Sequence, residues 1–360
     1  MTASLKVSHE NNLDFLRLFF SLSVLITHSY ALSGLPEHDA LYLFSKGQAV
    51  FSHTGVQGFL IISGYLITKS LLRSASLTDY YFKRILRVFP ALIVVVCFTA
   101  IICFFFSTKS FHDYFFHYSF RDYIFFNTIL KTQLYLNGVF TTNPYPSTVN
   151  GSLWTIPYEF FFYIVLSFLF FIRFNYKLLR WLFLGAYIIS ATLFILNAPA
   201  LHTHELPFWR LQGDNIAELG AFFLSGAIWA VVPLPSTTSR RALATCALIV
   251  LLASLYFGGY RYIQFMTLPI LVISFGTLNA RGLSWARKYG DFSYGIYLWG
   301  FLVQQILMHF FRLNVSLLML TSVPITYLCG VASWFLIEKK ALRYKMHLPA
   351  STSIAQKPTS

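Results

Sequence analysis

Residues 13–28 read LDFLRLFFSLSVLITH, and this stretch decides how the rest of the chain is interpreted. It is apolar enough to begin a membrane-spanning helix, which needs about 20 mostly apolar residues. It nevertheless carries Asp14, Arg17 and His28. An arginine at the centre of a span costs about 2.5–3.5 kcal/mol on insertion scales, so such residues normally face a bundle interior or a water-filled path. The stretch therefore predicts a helix with one face turned toward protein.

The polar residues of this helix are predicted to share that face. Arg17 and His28 are eleven residues apart, which places them within about 20° of each other and about 16 Å apart along the axis. Asp14 lies one turn below Arg17, and Ser21 lies on the same face between Arg17 and His28. We expect a polar stripe from the inner end of the helix to its outer third. The alternative is an Asp14–Arg17 pair that neutralises itself near the interface, while His28 makes a hydrogen bond elsewhere in the bundle.

Composition assigns the whole chain to the membrane. The 360 residues are 56% hydrophobic, 19% aromatic and only 11% charged, far more apolar than a soluble domain. Ten helices are predicted, near residues 14–33, 49–70, 88–107, 153–172, 179–197, 216–233, 242–258, 262–279, 292–311 and 316–337, with a less regular segment at 108–152. We expect an all-α integral membrane protein whose single transmembrane domain covers residues 1–348, followed by a disordered cytoplasmic tail at 349–360.

Membrane topology explains the net charge of +14 without nucleic acid. If the N-terminus is cytoplasmic, the predicted inner loops and termini hold nineteen of the 27 Lys and Arg residues, and the outer loops hold seven. Positive charge resists translocation, so both termini are expected in the cytoplasm. The four cysteines lie in apolar spans without metal-ligand spacing, and no metal site is expected.

A basic motif precedes the third predicted helix. The stretch YYFKRILRVFP, residues 80–90, places Lys83, Arg84 and Arg87 at the cytoplasmic mouth. The guanidinium fork suits phosphate oxygens, so the motif is a candidate phosphate site. An ordinary cluster of topology-setting charges would look the same.

An acidic residue follows the start of the fourth predicted helix. In GSLWTIPYEFFFY, residues 151–163, Glu159 lies about 9 Å below the start of the helix, at a depth similar to that of His28. A carboxylate and an imidazole at one level predict a general-base pair. A structural hydrogen bond from Glu159 to a neighbouring helix is the alternative.

Five motifs in order resemble acyltransferase family 3, whose members are bacterial membrane O-acetyltransferases of surface polysaccharides and lipooligosaccharides. They are LDFLRLFFSLSVLITH, GVQGFLIISGYLIT, FKRILRVFP, GSLWTIPYEFFFY and FSYGIYLWG, between about residues 13 and 337. The resemblance implies acyl transfer from cytoplasmic acyl-CoA, usually acetyl-CoA, to a sugar hydroxyl. It also implies residence in the bacterial cytoplasmic (inner) membrane.

The resemblance also implies site residues, and two positions depart from it. The matching positions are Arg17 and His28 on the first helix, the basic pair Arg84 and Arg87, and Trp154 with Glu159. We also expect Lys83 to join the donor site, and Asp14, Ser21 and Gly64 to support it. Many members have Asp where this chain has Gln57 and His where it has Gly300. Neither residue does acid–base chemistry, so neither is assigned a catalytic role.

These matches predict a mechanism. Acetyl-CoA, as donor substrate, would place its phosphates near Arg17, Arg84 and Arg87 and its thioester near His28. His28 would take the proton of the acceptor hydroxyl, and Glu159 would orient the imidazole ring. A covalent acyl-enzyme through Ser21, Ser63 or Ser152 stays open. Sugar contacts are expected from segment 108–152 and from the loop around 198–215, which holds His202, His204, Trp209 and Arg210, with Glu218 and His309 as secondary candidates.

Three other functions are weighed against acyl transfer. A glycolipid or sugar transporter or flippase would also use intramembrane charge, but such proteins tend to place it at interrupted helices near the midplane. The sequence HYSFRD, residues 117–122, fits the H-x4-D pattern of glycerolipid acyltransferases, yet it lies on the predicted outer side. A structural subunit without activity is the third possibility.

Overall fold

The computed structural model describes residues 11–280, 283 and 290–344. The predicted tail at 349–360, the N-terminal ten residues and the predicted inner-loop cations Arg281, Arg287 and Lys288 lie outside the described residues. Strands within the described part amount to one short antiparallel hairpin, β1 Glu205–Leu206 with β2 Leu211–Gln212.

Helices make up most of the described chain. In order they are α1 Leu13–Leu32, α2 Ala40–Phe44, α3 Phe51–Arg73, α4 Leu77–Ile102, α5 Phe111–Phe115, α6 Tyr118–Thr128, α7 Ile156–Ser167, α8 Tyr176–His202, α9 Gly213–Val231, α10 Thr237–Phe257, α11 Tyr260–Gly276, α12 Ser293–Phe311, α13 Val315–Ser333 and α14 Lys339–Arg343. Short 3-10 helices cover Cys103–Phe106, Gly151–Thr155 and Phe170–Ile172, and a π-helical turn, Trp334–Glu338, joins α13 to α14.

Six helical segments of the described residues are long and apolar enough to cross a membrane. They are Leu13–Leu32, Phe51–Arg73, Leu77–Phe106, Tyr176–His202, Thr237–Phe257 and Val315–Arg343. These segments and the predominance of helix agree with the predicted all-α membrane protein. A count of ten spans and cytoplasmic termini stay predictions.

Helix boundaries differ from the predicted ones at the two places that matter for the candidate site. Helix α4 begins at Leu77 and not near residue 88, because the Ser76 side chain caps it by accepting the Asp79 N–H. The basic motif therefore lies on a helix and not in a loop. The predicted helix 153–172 is α-helical only over Ile156–Ser167, and the chain before it has already entered the bundle.

Glycines bring α3 into close contact with its neighbours. A Cβ on Gly64 would lie 1.9 Å from the Phe223 carbonyl oxygen on α9, and one on Gly226 would lie 2.0 Å from the Ile61 carbonyl oxygen on α3. Only glycine fits at such a helix crossing. Gly64 therefore holds α3 close against α9, and its predicted support of the site stays a prediction. Gly300, where many family members have His, packs against Leu25 of α1, since its Cβ would lie 2.9 Å from that side chain.

Candidate active site

A cavity of about 360 Å³ lies among α1, α3, α4 and α7 at the end of the bundle that carries the basic motif. We call it the basic cavity. Its polar lining consists of Arg17, Ser63, Ser70, Arg73, Lys83, Arg84, Arg87, Glu159, Tyr163, Asp291 and Tyr294. A smaller cavity of about 50 Å³ shares Arg17, Phe59, Glu159 and Tyr294 with it and includes Val56, Thr155 and Tyr297. The shared residues show that the two cavities adjoin, with the smaller one toward the opposite end of the bundle.

Two of the predicted phosphate ligands are already neutralised by carboxylates. Arg17 pairs with Asp291, which directly precedes α12. Arg87 donates to Asp291 Oδ2 at 2.5 Å and to Glu338 Oε2 at 3.3 Å. Burial alone would raise the pKa of Asp291, but Arg17 and Arg87 lower it to about 2, so this carboxyl is charged at neutral pH. Arg17 and Arg87 therefore join helices through carboxylates, and their assignment to the donor site stays a prediction.

Arg84 is different, because the described residues supply no carboxylate within ion-pair distance of it. Its side chain is only 8% exposed, one terminal nitrogen donates to Ser70 Oγ at 3.2 Å, and its Nε has no partner in the described part of the chain. The guanidinium lies 5.9 Å from the centroids of the Tyr80 and Tyr163 rings. A buried charge without a partner is unfavourable. Arg84 is thus prepared to bind an anion that enters the basic cavity.

Lys83 also lines the basic cavity, but it is paired within its own helix. Its Nζ lies 2.5 Å from Asp79 Oδ2, one turn earlier in α4. Arg73 lines the same cavity and donates its Nε–H to the Lys69 carbonyl oxygen, which leaves its guanidinium charge without a carboxylate in the described residues. Arg73 was not singled out from the sequence, where it looked like one inner-loop cation among many.

Glu159 meets two hydroxyl groups, and the predicted pairing with His28 is not formed. Glu159 Oε1 accepts hydrogen bonds from Ser63 Oγ at 2.7 Å and from Tyr163 Oη at 2.5 Å. The half-buried His28 instead packs edge-on against Phe301, with 5.3 Å between ring centroids. The two residues therefore lie in separate environments.

The depth assigned to Glu159 was wrong because the chain enters the bundle before α7 begins. Asn150 donates its side-chain N–H to the Leu298 carbonyl oxygen at 2.8 Å, and Gly151 abuts the Phe301 ring that also contacts His28. Residue 151 is therefore level with His28. Glu159 follows eight residues later, about 12 Å further along the helix axis. This places it beside Arg17, which lines the same two cavities.

Packed side chains separate the smaller cavity from His28. Thr155 and Tyr297 share a hydrogen bond of 2.6 Å at the cavity wall, and Phe301 lies one turn beyond Tyr297 on α12. Neither of the two cavities is lined by His28. Of the polar residues of the stripe on α1, only Arg17 lines either of these two cavities.

Only one of the three candidate nucleophiles reaches a cavity. Ser21 is buried and donates to the carbonyl oxygen of Leu18 in its own helix at 2.8 Å. Ser152 is buried in the 3-10 helix Gly151–Thr155. Ser63 alone lines the basic cavity and contacts a carboxylate.

The remaining predicted site residues line neither of the two cavities. Trp154 packs edge-on against Tyr158 at 5.7 Å and lines neither cavity, while Asp14 lies in the first turn of α1. In the loop proposed to contact sugar, His202 pairs with Asp214 at 2.8 Å and Arg210 pairs with Glu205 at 3.0 Å. The H-x4-D motif forms local structure, because His117 Nδ1 accepts the Ser119 N–H at the start of α6.

Sequence reasoning named Glu218 only as a secondary candidate and missed the buried polar network around it, at the end of the bundle opposite the basic cavity. Glu218 Oε1 accepts from His53 Nε2 at 2.8 Å and from Gln57 Nε2 at 3.0 Å. Gln57 also donates to Gln264 Oε1 at 2.9 Å and accepts the Tyr260 hydroxyl at 3.3 Å. Gln57 therefore joins α3, α9 and α11. A signal was present in the sequence, since His53 and Gln57 are one helical turn apart.

Comparison with known proteins agrees with the resemblance drawn from the motifs. A family model described as an acyltransferase domain, that of acyltransferase family 3, matches residues 10–338. The O-acetyl transferase of Shigella phage Sf6 is 29% identical over 341 residues, covering 93% of this chain and 97% of the relative. Nodulation protein 10 of Rhizobium leguminosarum bv. viciae is 28% identical over 367 residues, covering 95% and 96%. No solved structure matches the chain significantly. The chain thus belongs to acyltransferase family 3 and is an acyltransferase.

Proposed function

We propose that this protein moves an acetyl or similar short acyl group from cytoplasmic acyl-CoA to a hydroxyl of a surface or exported glycan, across the bacterial inner membrane. Family membership and the similarity to an O-acetyl transferase support the reaction type. The observation that carries the donor assignment is Arg84, a buried guanidinium in the basic cavity that no described carboxylate pairs with. A glycolipid or sugar transporter is the alternative.

The basic cavity is the proposed entry of the donor. The end of the bundle that holds Arg73, Lys83 and Arg84 is cytoplasmic under the positive-inside rule. Coenzyme A carries phosphate groups, and charge-assisted hydrogen bonds to a desolvated guanidinium are strong. Arg84 is the proposed main phosphate ligand, with Arg73 and Lys83 beside it. Arg17 and Arg87 hold the cavity wall through Asp291.

The two adjoining cavities give the acyl-bearing arm of the donor a path. Ser70, the partner of Arg84, and Val56, at the far side of the smaller cavity, are fourteen residues apart on α3, or about 21 Å of helix rise. Ser63 and Glu159 line the middle of this path, where they offer hydrogen bonds to the amides of the arm. Glu159 is therefore proposed as a donor-positioning residue, and not as the partner of His28.

His28 is the proposed general base at the outer end of the path. The Ser52 N–H donates to Thr27 Oγ1 at 2.9 Å, so residue 28 lies at the level of residue 52, one turn beyond Val56. Displacement of the Phe301 and Tyr297 side chains would join the smaller cavity to His28. Neutral His28 then takes the acceptor hydroxyl proton, and the oxygen attacks the acyl carbon. The carbon–sulfur bond breaks, and the leaving thiolate takes the proton from His28 to depart as coenzyme A, which restores the neutral imidazole. A positioned base of this kind contributes about 10²–10⁴-fold.

The reaction is tested in inside-out membrane vesicles that contain the full chain. Acetyl-CoA labelled in its acetyl group is supplied outside the vesicles, and envelope glycan from cells lacking the gene, freed of its esters by mild base, is enclosed within them. We expect labelled O-acetyl ester on the enclosed glycan. Movement of glycan across the membrane without labelling would favour the transporter.

A further inference from the structure

The bundle carries a second imidazole at the depth of His28, and this one has a carboxylate partner. His53 lies in the first turn of α3, is 40% exposed, and donates its Nε2–H to Glu218 Oε1 at 2.8 Å. Glu218 is only 3% exposed. An ionised carboxylate only accepts hydrogen bonds, so the shared hydrogen is on Nε2, and whenever the ring is neutral its Nδ1 is an acceptor. No hydrogen bond within the described residues occupies Nδ1.

The polar network fixes the orientation of this imidazole. Glu218 is held by Gln57, which in turn is joined to Gln264 and Tyr260. All four of these side chains are buried, whereas His53 is partly exposed. A buried network whose members are satisfied is rigid. The network therefore fixes the orientation of the His53 ring, whose Nδ1 has no hydrogen-bond partner among the described residues.

The position of His53 on α3 relates it to the donor path. His53 and Leu60 are seven residues apart, within about 20° on one helix face. Leu60 lines the smaller cavity. On α3, His53 thus lies further than the smaller cavity from the basic end of the bundle, just as His28 lies further than Arg17 from that end on α1. The Ser52–Thr27 hydrogen bond keeps the two histidines at one level on neighbouring helices.

We infer that His53 binds the acceptor glycan, with its Nδ1 accepting a hydrogen bond from a sugar hydroxyl and Glu218 acting as its positioning residue. This inference rests on the proposed function, because it names the acceptor site of the same reaction.

The test uses two amide substitutions of His53 that distinguish the role of Nε2 from that of Nδ1. In His53→Gln the side-chain amide replaces the Nε2–H donor to Glu218 but supplies no acceptor at the Nδ1 position. The purified full-length protein in nanodiscs is titrated with de-esterified envelope glycan at saturating acetyl-CoA, and with acetyl-CoA at saturating glycan. We expect the glycan KM to rise about tenfold, since one hydrogen bond is lost, with the acetyl-CoA KM and the thermal midpoint unchanged. His53→Asn, which restores an acceptor near Nδ1, recovers part of the glycan affinity.

The competing site is tested with His202→Gln, at a histidine that is also paired with a carboxylate but lies in the loop first expected to contact sugar, beside the hairpin. An unchanged glycan KM in His53→Gln, or an equal rise in both KM values, overturns the inference. If the glycan KM rises only in His202→Gln, the acceptor binds near the hairpin, and the inference is overturned as well. Absence of acetyl transfer by the unsubstituted protein is a different result, because it removes the proposed function itself.

Discussion

Arg17 on α1 forms an ion pair with Asp291 at the start of α12, and Arg87 on α4 donates to the same carboxylate oxygen. One carboxyl group thereby joins three helices at the wall of the basic cavity. A residue on the first helix that resembles a substrate-binding arginine thus has a structural partner more than 200 positions away. Loss of activity on replacing Arg17 would not by itself demonstrate donor binding.

The two arginines of the basic motif are expected to have separable effects. Arg84→Ala removes the unpaired guanidinium and should raise the acetyl-CoA KM about tenfold or more while leaving the thermal midpoint close to that of the unsubstituted protein. Arg87→Ala leaves Asp291 and Glu338 with fewer partners, so it should lower the free energy of unfolding by about 3–5 kcal/mol. Steady-state kinetics and thermal unfolding in nanodiscs measure both effects. Equal kinetic effects with equal destabilisation would show that both residues serve the same role.

The Asp291 ion pairs should make part of the stability dependent on acid. Arg17 and Arg87 lower the pKa of Asp291 to about 2 against burial, whereas the unfolded carboxyl titrates near about 3.9. A lowered pKa contributes stability that is complete above about pH 4 and is lost as the pH falls through about 2. Asp291→Asn should therefore flatten the acid limb of the stability curve. At neutral pH it should cost about 3–5 kcal/mol, because it leaves both Arg17 and Arg87 without this carboxylate. A variant with an unchanged acid limb would contradict this assignment.

His28 and Glu159 should contribute independently, because about 12 Å of helix rise separates their levels. His28→Ala is expected to lower kcat by about 10²–10⁴-fold, and Glu159→Gln to raise the acetyl-CoA KM. Sites this far apart normally have additive free energies within about 0.5 kcal/mol. The double variant, compared by kcat/KM, measures the coupling. A coupling well above that value would mean that the two side chains meet during turnover.

The predominance of helix and the shared face of Arg17 and His28 on α1 could be predicted from the sequence. The depth of Glu159 in the bundle and the ion pairs of Arg87 could not. Helical periodicity puts Arg17 and His28 on one face whatever the surroundings. The depth of Glu159 depends on where the coil before residue 151 enters the bundle, which local sequence does not encode. The pairing of Arg87 with Asp291 and Glu338 joins residues 204 and 251 positions apart, and a single sequence holds no signal for it.

Ser63 is the residue at which a covalent route would be visible. Direct transfer predicts that the protein incubated with labelled acetyl-CoA alone carries no acetyl ester, and that Ser63→Ala keeps substantial activity despite losing the hydrogen bond to Glu159. Peptide mass spectrometry after acid quenching measures the ester. Ser152→Ala, at a buried serine that lines neither cavity, is the control. An ester on Ser63 that disappears in Ser63→Ala would replace direct transfer by a two-step mechanism.

The crossing of α3 and α9 should tolerate no added methyl group at Gly64. A Cβ there would lie 1.9 Å from the Phe223 carbonyl oxygen, and a backbone atom yields only if the helices separate. Gly64→Ala should therefore destabilise the protein by about 1–3 kcal/mol and impair acyl transfer, because α3 carries both Ser63 and His53. Gly185→Ala in α8 is the matched control, since its Cβ would meet nothing within 4 Å. Alanine favours helix over glycine by about 0.8–1.0 kcal/mol, so this control should be neutral or stabilising. Thermal unfolding of the two variants distinguishes a steric contact from a general preference for glycine, and equal midpoints would remove the close crossing as the reason for Gly64.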